Sequence, residues 1–277
     1  MSIPTTMNSI NTIGKVAAVQ MVSTPDVAEN IASARRLVAQ AAATGATLVA
    51  LPEYWPIMGI SDLDKLGHAE QQGAGPIQDF MAAAAREHQV WLVGGTLPLV
   101  SPDAGKVMNT TLIYDPDGKS AGRYDKIHLF GFSKGAESYD ESRTIVAGED
   151  LALFDAPFGR VGIAVCYDLR FPELFRAMGE CTLMIVTAAF THTTGQAHWE
   201  VLLRARAIEN QCYVLAAAQG GLHRNGRRTF GHSMLIDPWG RVTAVVAEGE
   251  GVASGEIDGA YLAEVRESLP ALKHRKL

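Results

Sequence analysis

Cysteine is scarce: Cys166, Cys181 and Cys212 are the whole complement in 277 residues. Three thiols cannot all pair within one chain, and their spacing fits no zinc knuckle, so neither a disulfide framework nor a cysteine metal site is expected. Reduced thiols of this kind belong to a cytoplasmic setting. Positive charge is also short: 24 Lys and Arg stand against 30 Asp and Glu, a net charge of −6. That balance supplies no basic stripe for nucleic acid and none for an anionic membrane surface. No apolar run reaches the roughly 20 residues that a membrane-spanning helix needs. His128, His192, His198 and His232 are scattered without ligand-like spacing, so no metal is assigned and no cofactor is implied. Residues 1–14 are polar, with no Lys or Arg before Lys15 and no long apolar stretch. They read as a frayed tail rather than a secretory signal.

What the chain has is apolar mass in alternating blocks. It is 47% hydrophobic with 27 Gly, enough for a large core, and no low-complexity linker divides residues 15–277, which read as a single domain. Strands are expected at 15–21, 47–51, 90–96, 108–114, 120–124, 161–165, 183–187, 212–217, 233–236 and 241–246. Helical spacing of Ala, Leu and Val covers 26–44, closed by Gly45, and recurs over 75–88, 172–178 and 196–210. Strands alternating with helices predict a layered α/β architecture. Two turns, Asp115-Pro116-Asp117-Gly118 and Asp237-Pro238-Trp239-Gly240, carry Pro second and Gly fourth, as type I turns in hairpins do. Their echo suggests two similar halves.

Cys166 stands where an apolar strand stops, in Val161-Gly162-Ile163-Ala164-Val165-Cys166-Tyr167-Asp168-Leu169-Arg170-Phe171-Pro172-Glu173, and Pro172 marks the first turn of a helix. A thiol on such a bend is held by a rigid strand and lies near free backbone N–H groups, which suits a nucleophile that must stabilise an oxyanion. A thiol is mostly protonated at neutral pH, so it needs a base or a cationic neighbour. Glu53 follows the apolar strand Thr47-Leu48-Val49-Ala50-Leu51 directly, as Cys166 follows its own, and is the candidate base. Lys126, in Arg123-Tyr124-Asp125-Lys126-Ile127-His128, would place an ammonium beside a developing oxyanion; the competing reading is a solvated edge lysine. Glu141 would pair with Lys126 or position a substrate, or stand as surface charge. Arg170, four residues past the thiol, would grip a carboxylate bidentately or pair with Glu173. A Cys–His dyad using His192 or His198 stays open on spacing alone.

At these residues the chain resembles the carbon–nitrogen hydrolase, or nitrilase, superfamily. The resemblance rests on Leu51-Pro52-Glu53, on residues 124–130 around Lys126, and on residues 166–174 from Cys166. It continues through Thr187-Ala188-Ala189-Phe190-Thr191, residues 195–200 and 203–210, and Gly231-His232-Ser233-Met234. It covers roughly residues 15–267. It implies a four-layer α-β-β-α sandwich, a homodimer or higher homo-oligomer, Glu53 as base, Lys126 as oxyanion stabiliser with the Tyr167 backbone N–H, Cys166 as nucleophile, and Glu141 as the second family glutamate. The nucleophile segment looks like the Nit-type amidases, a branch that includes deaminated glutathione amidase and ω-amidase. That branch implies a small-molecule amide substrate with a 2-oxoglutaryl group, cleaved through a cysteine thioester. It gives Arg170 a carboxylate to neutralise and makes Phe190 and Thr194 lining residues. The segment 131–139 differs from the shorter loop of the ω-amidases, which favours the tripeptide-derived amide, deaminated glutathione, over α-ketoglutaramate. Nitrile hydrolysis, acyl transfer to an amine, and a thiol-bearing binding protein without chemistry are the competing readings.

Overall fold

The computed structural model of the chain describes residues 12–135 and 137–276. The tail expected over residues 1–14 lies outside the described residues up to position 11. From Thr12 the chain is already a strand, Thr12–Gln20, because its first residues pair with the end of Gly251–Asp258.

Two sheets stack face to face. In the first, Gly251–Asp258, Thr12–Gln20, Leu48–Ala50, Trp91–Val93 and Val107–Tyr114 lie in that order, and Leu97–Val100 and Ser120–Asp125 both pair with Val107–Tyr114. In the second, the order is Ala152–Ala156, Gly159–Val165, Leu183–Ala188, Tyr213–Ala218, Ser233–Ile236 and Val242–Val246. Each sheet has three parallel strands at its centre, and antiparallel partners on both sides. The two predicted hairpins occupy equivalent places. In each, an aspartate Oδ1 accepts two backbone N–H groups across the turn, Asp115 from Asp117 and Lys119, Asp237 from Trp239 and Arg241. Gly118 and Gly240 take the left-handed conformation that closes each turn, at φ +76° and +86°. The repeat that two short turns hinted at is therefore a repeat of whole sheets.

Strand parity builds the layers, since alternate residues point to opposite faces. Val16, Ala18, Leu48 and Ala50 face the second sheet and pack with Ile163, Val165, Ile185 and Leu215. Ala17, Val19, Val49 and Leu51 face outward, under the helices Val27–Ala43 and Pro76–His88. On the far side Trp199, Leu203 and Ala207 of helix His192–Asn210 cover the second sheet. Helix, sheet, sheet, helix is the four-layer sandwich. No helix among the described residues is long and apolar enough to cross a membrane.

Several elements depart from their expected bounds, and three do so for clear local reasons. The strand expected at 90–96 stops at Val93 and resumes as Leu97–Val100. Gly94 and Gly95 break it: Gly95 has φ +54°, and a Cβ there would stand 2.0 Å from the Pro52 carbonyl oxygen. This close approach seats the segment that carries Glu53. Helix His192–Asn210 starts four residues before its expected beginning because Thr191 caps it, its Oγ1 accepting from the Thr194 N–H. The strand carrying Tyr124 ends at Asp125, so Lys126 sits on the exit from the sheet.

Candidate active site

Cys166 has φ +52°, a left-handed conformation that a side chain adopts at a cost of about 1–2 kcal/mol. The bend turns the chain from Gly159–Val165 into the short 3-10 helix Cys166–Arg170 and on to Pro172–Ala177. Asp168 holds it. One carboxylate oxygen accepts from the Val165 N–H at 2.8 Å and from the Tyr124 hydroxyl at 2.7 Å. The other accepts from the His128 N–H at 3.1 Å and contacts His128 Nδ1 at 2.8 Å. The turn bearing the thiol is thus tied to the residues on both sides of Lys126, which come from the opposite sheet.

Glu53 and Cys166 follow strands of different sheets, and the stacking of those sheets brings their ends together. Glu53 is 1% exposed and Lys126 0% exposed, which excludes a solvated edge lysine. The Lys126 ammonium donates to Glu53 Oε1 at 2.9 Å and to Glu141 Oε2 at 2.7 Å. Glu53 has two further donors, Asn109 Nδ2 on Oε1 at 3.0 Å and the Ala189 N–H on Oε2 at 2.9 Å, which leaves Oε2 with a lone pair to accept a proton. Glu141 takes the Tyr54 hydroxyl at 2.7 Å and the Phe130 N–H at 2.8 Å. Buried charges are tolerable when paired and hydrogen-bonded in this way, and losing one member would strand the others.

The electrostatics assign protonation states. Burial, and then the Glu53 carboxylate, push the Cys166 thiol well above its ordinary value, while Lys126 pulls the other way and loses. The resting sulfur is a neutral thiol. Burial works against the Lys126 cation, yet Glu141 and Glu53 outweigh it and raise the ammonium's pKa, so Lys126 is always charged. Burial also works against the Glu141 anion, and Lys126 overcomes it, holding the carboxyl below its usual range. The arrangement is a protonated thiol beside a Glu–Lys–Glu chain in which one buried ammonium bridges both carboxyl groups.

Phe130, Tyr167, Arg170, Phe190, Thr191 and Thr194 close around Cys166. Arg170 forms no ion pair with Glu173 among the described residues. Its guanidinium lies 5.7 Å from the Tyr167 ring centre and 5.4 Å from that of Phe190, with Nη1 3.2 Å from His198 Nδ1. Thr194, buried in the first turn of helix His192–Asn210, and its capping residue Thr191 line the same pocket as Cys166. Among the described residues neither His192 nor His198 hydrogen-bonds the sulfur: His198 faces Arg170, and His192 meets Phe230 edge-on. Tyr167 is the first residue after the thiol, inside the 3-10 turn, where a backbone N–H has no helical acceptor. A second cavity of about 370 Å³ adjoins this pocket, and Phe130, Glu141 and Arg227 line both.

Tyr54, Asn109, Asp168 and the Ala189 N–H belong to the site without having been singled out in the sequence. Asn109 carried a usable signal, a polar residue inside the wholly buried strand Val107–Tyr114. Tyr54, at φ +56°, carried none.

The carbon–nitrogen hydrolase family profile matches residues 15–267. Deaminated glutathione amidase of Synechocystis is 42% identical over 265 residues, covering 94% of this chain and 97% of that protein. Omega-amidase NIT2-A of Xenopus laevis is 37% identical over 266 residues, covering 95% of each. Among solved structures, the crystal structure of the C. elegans NitFhit protein superposes with a TM-score of 0.88 at 39% identity, over 97% of this chain and 66% of that one. With a family match over nearly its whole length and relatives well above 30% identity, this chain belongs to the carbon–nitrogen hydrolase family and is a hydrolase of carbon–nitrogen bonds.

Proposed function

We propose that the protein is an amidase of the Nit type that hydrolyses deaminated glutathione, releasing 2-oxoglutarate and cysteinylglycine through a thioester on Cys166. The observation that carries this reading is the buried Glu53–Lys126–Glu141 chain set against a neutral thiol on a strained turn. Because the thiol is not pre-ionised, the proton must leave as the sulfur attacks, and Glu53 is the base in reach. As the Cys166 Sγ–carbon bond forms, the thiol proton passes to Glu53. The amide oxygen becomes an oxyanion held by Lys126 Nζ and the Tyr167 N–H. Glu53 returns the proton to the amide nitrogen as the carbon–nitrogen bond breaks and the amine departs. Water then gives its proton to Glu53 while attacking the thioester, and that proton goes back to the sulfur as the acid leaves. Glu141 keeps Lys126 charged and in place throughout. No step calls for a cofactor.

Two features support the substrate. Arg170 and the amino end of helix His192–Asn210 both favour an anion beside the acyl pocket, as the carboxylate of a 2-oxo acid would supply. Phe190 and Thr194 wall that pocket. The adjoining cavity gives room for a leaving group larger than ammonia. Measuring kcat/KM side by side on deaminated glutathione and α-ketoglutaramate tests the reading: the tripeptide-derived amide should be preferred, and a preference for α-ketoglutaramate would make the protein an ω-amidase. All three cysteines are free and buried, which fits a reducing cytoplasm. Val201 and Ile208, exposed on the outer face of helix His192–Asn210, support a homodimer or higher assembly; a monomer by sedimentation would refute it.

A further inference from the structure

Two cations face the wider cavity with no ion-pair partner among the described residues. Lys65, in the 3-10 helix Asp64–His68, donates only to a neutral group, Thr144 Oγ1, at 3.1 Å, and its ammonium lies 5.5 Å from the Tyr54 ring centre. Arg227 lies in the loop between the strands Gly220–Leu222 and Arg228–Phe230. Its Nη2 donates to the Ala189 carbonyl at 2.7 Å, its guanidinium sits 5.3 Å from the Tyr139 ring centre, and its Nε is buried with no hydrogen-bond partner. A buried guanidinium N–H without an acceptor is uncommon and calls for an explanation.

Two of the three acids nearby are committed elsewhere, and the third, Asp62, faces solvent. Glu141 is taken up by Lys126, Tyr54 and the Phe130 N–H. Asp140 accepts from the Ser142 N–H and hydroxyl, and Asp62 is exposed at the cavity rim. Burial first, opposed by Asp62 and Glu141 and aided by Arg227 and Lys126, holds the Lys65 ammonium below its usual value. An anion entering the cavity would relieve that tension.

We propose that Lys65 and Arg227 form a subsite for the free carboxylate at the far end of the leaving group, which in deaminated glutathione is the glycine carboxylate of cysteinylglycine. This rests on the reading that the acyl group lies on the Arg170 side of Cys166. Arg227 lines both cavities, so it stands at the junction that the leaving group must cross, and Lys65 lies on the wider cavity beyond. An extended dipeptide spans roughly 7 Å, a reach suited to that passage. Ammonia, the leaving group of α-ketoglutaramate, would use neither cation. The pair is therefore a specificity device for amides whose amine ends in a carboxylate.

The test compares deaminated glutathione with its C-terminal carboxamide, which differs only in that charge. Wild-type enzyme should prefer the free acid by about 10- to 100-fold in kcat/KM, the range that removing one charge-assisted hydrogen bond produces. Lys65→Met should erase most of that preference, and Arg227→Lys, which keeps the charge and loses the planar fork, should reduce it in part. Equal turnover of acid and carboxamide by the wild type, or an unchanged ratio in Lys65→Met, would overturn the subsite while leaving the substrate reading in place. Turnover of α-ketoglutaramate with neither tripeptide-derived amide accepted would overturn both.

Discussion

The Tyr124 hydroxyl donates to the Asp168 carboxylate at 2.7 Å, and both residues are buried. Through that bond the turn that presents the sulfur and the strand exit that presents the ammonium become one rigid unit. Asp168 has four such contacts, and an asparagine in its place cannot accept all of them. Asp168→Asn should destabilise the protein by about 3 kcal/mol and lower kcat far more than it raises KM, because geometry is disturbed while the groups that touch substrate stay in place. Tyr124→Phe should cost about 1 kcal/mol. Denaturant unfolding together with steady-state kinetics checks both, and a fully active, fully stable Asp168→Asn enzyme would contradict the positioning role.

Glu53 raises the pKa of the Cys166 thiol and is also its proposed base, so replacing it separates the two effects. In Glu53→Gln the thiol pKa should fall, since a negative neighbour is gone and Lys126 remains. Alkylation by iodoacetamide, followed against pH, should therefore become faster near neutrality. Amide turnover should nonetheless drop by about a thousandfold or more. A variant whose thiol is more ionised and whose turnover is intact would show that Glu53 is not the base.

Arg170 should act on binding more than on chemistry. Arg170→Ala should raise KM at least about tenfold for 2-oxoglutaryl amides, whose carboxylate it would meet, and much less for a neutral amide of similar size. Equal effects on both substrates would remove it from the carboxylate role.

Many of the elements, and the places of Glu53 and Cys166, were legible because each follows a local rule; Lys126 and Glu141 gained their roles from the family resemblance, and the strands Ala152–Ala156 and Gly251–Asp258 and the helix Gly259–Ser268 were not anticipated. Glu53 and Cys166 end apolar strands, Pro172 opens a helix, and two Asp-Pro turns mark hairpins. The face-to-face stacking of the two sheets was not legible from spacing, because the residues it unites, Glu53 with Ala189 and Tyr124 with Asp168, lie far apart in the chain. It was the family resemblance that supplied the sandwich. Tyr54 gave no sign because its role is set by Glu141, the partner that tertiary structure brings to it, while Asn109 gave only the hint of a polar residue in an apolar strand, its partner Glu53 being far away in the chain. The strand break after Val93 is not visible in the sequence, since Gly94-Gly95 is tolerable in a strand and only the approach of the Pro52 carbonyl requires the break. Arg170 was free, along the chain, to pair with Glu173, and instead lies across the two aromatic rings beside the thiol.

His223 anchors the hairpin that leads into Arg227, with Nδ1 2.9 Å from the Ser23 carbonyl oxygen and Nε2 2.8 Å from Thr229 Oγ1. Burial pulls its imidazole down from 6.5 to about 4. The folded state thus resists protonation that the unfolded chain accepts, so the contribution is complete above pH 6.5 and declines as pH falls toward 4. Integrated over that window it amounts to roughly 3 kcal/mol. Unfolding free energies measured from pH 7 to pH 4 should fall less steeply in His223→Gln than in wild type. Parallel curves would mean that His223 is not held neutral by the fold.

The most direct test is peptide mass spectrometry of enzyme acid-quenched during turnover of deaminated glutathione, paired with the rate of Cys166→Ala. A 2-oxoglutaryl group should be found on the Cys166 peptide, and the alanine variant should show no adduct and less than about one thousandth of wild-type turnover. Turnover that survives in Cys166→Ala would contradict a thioester route.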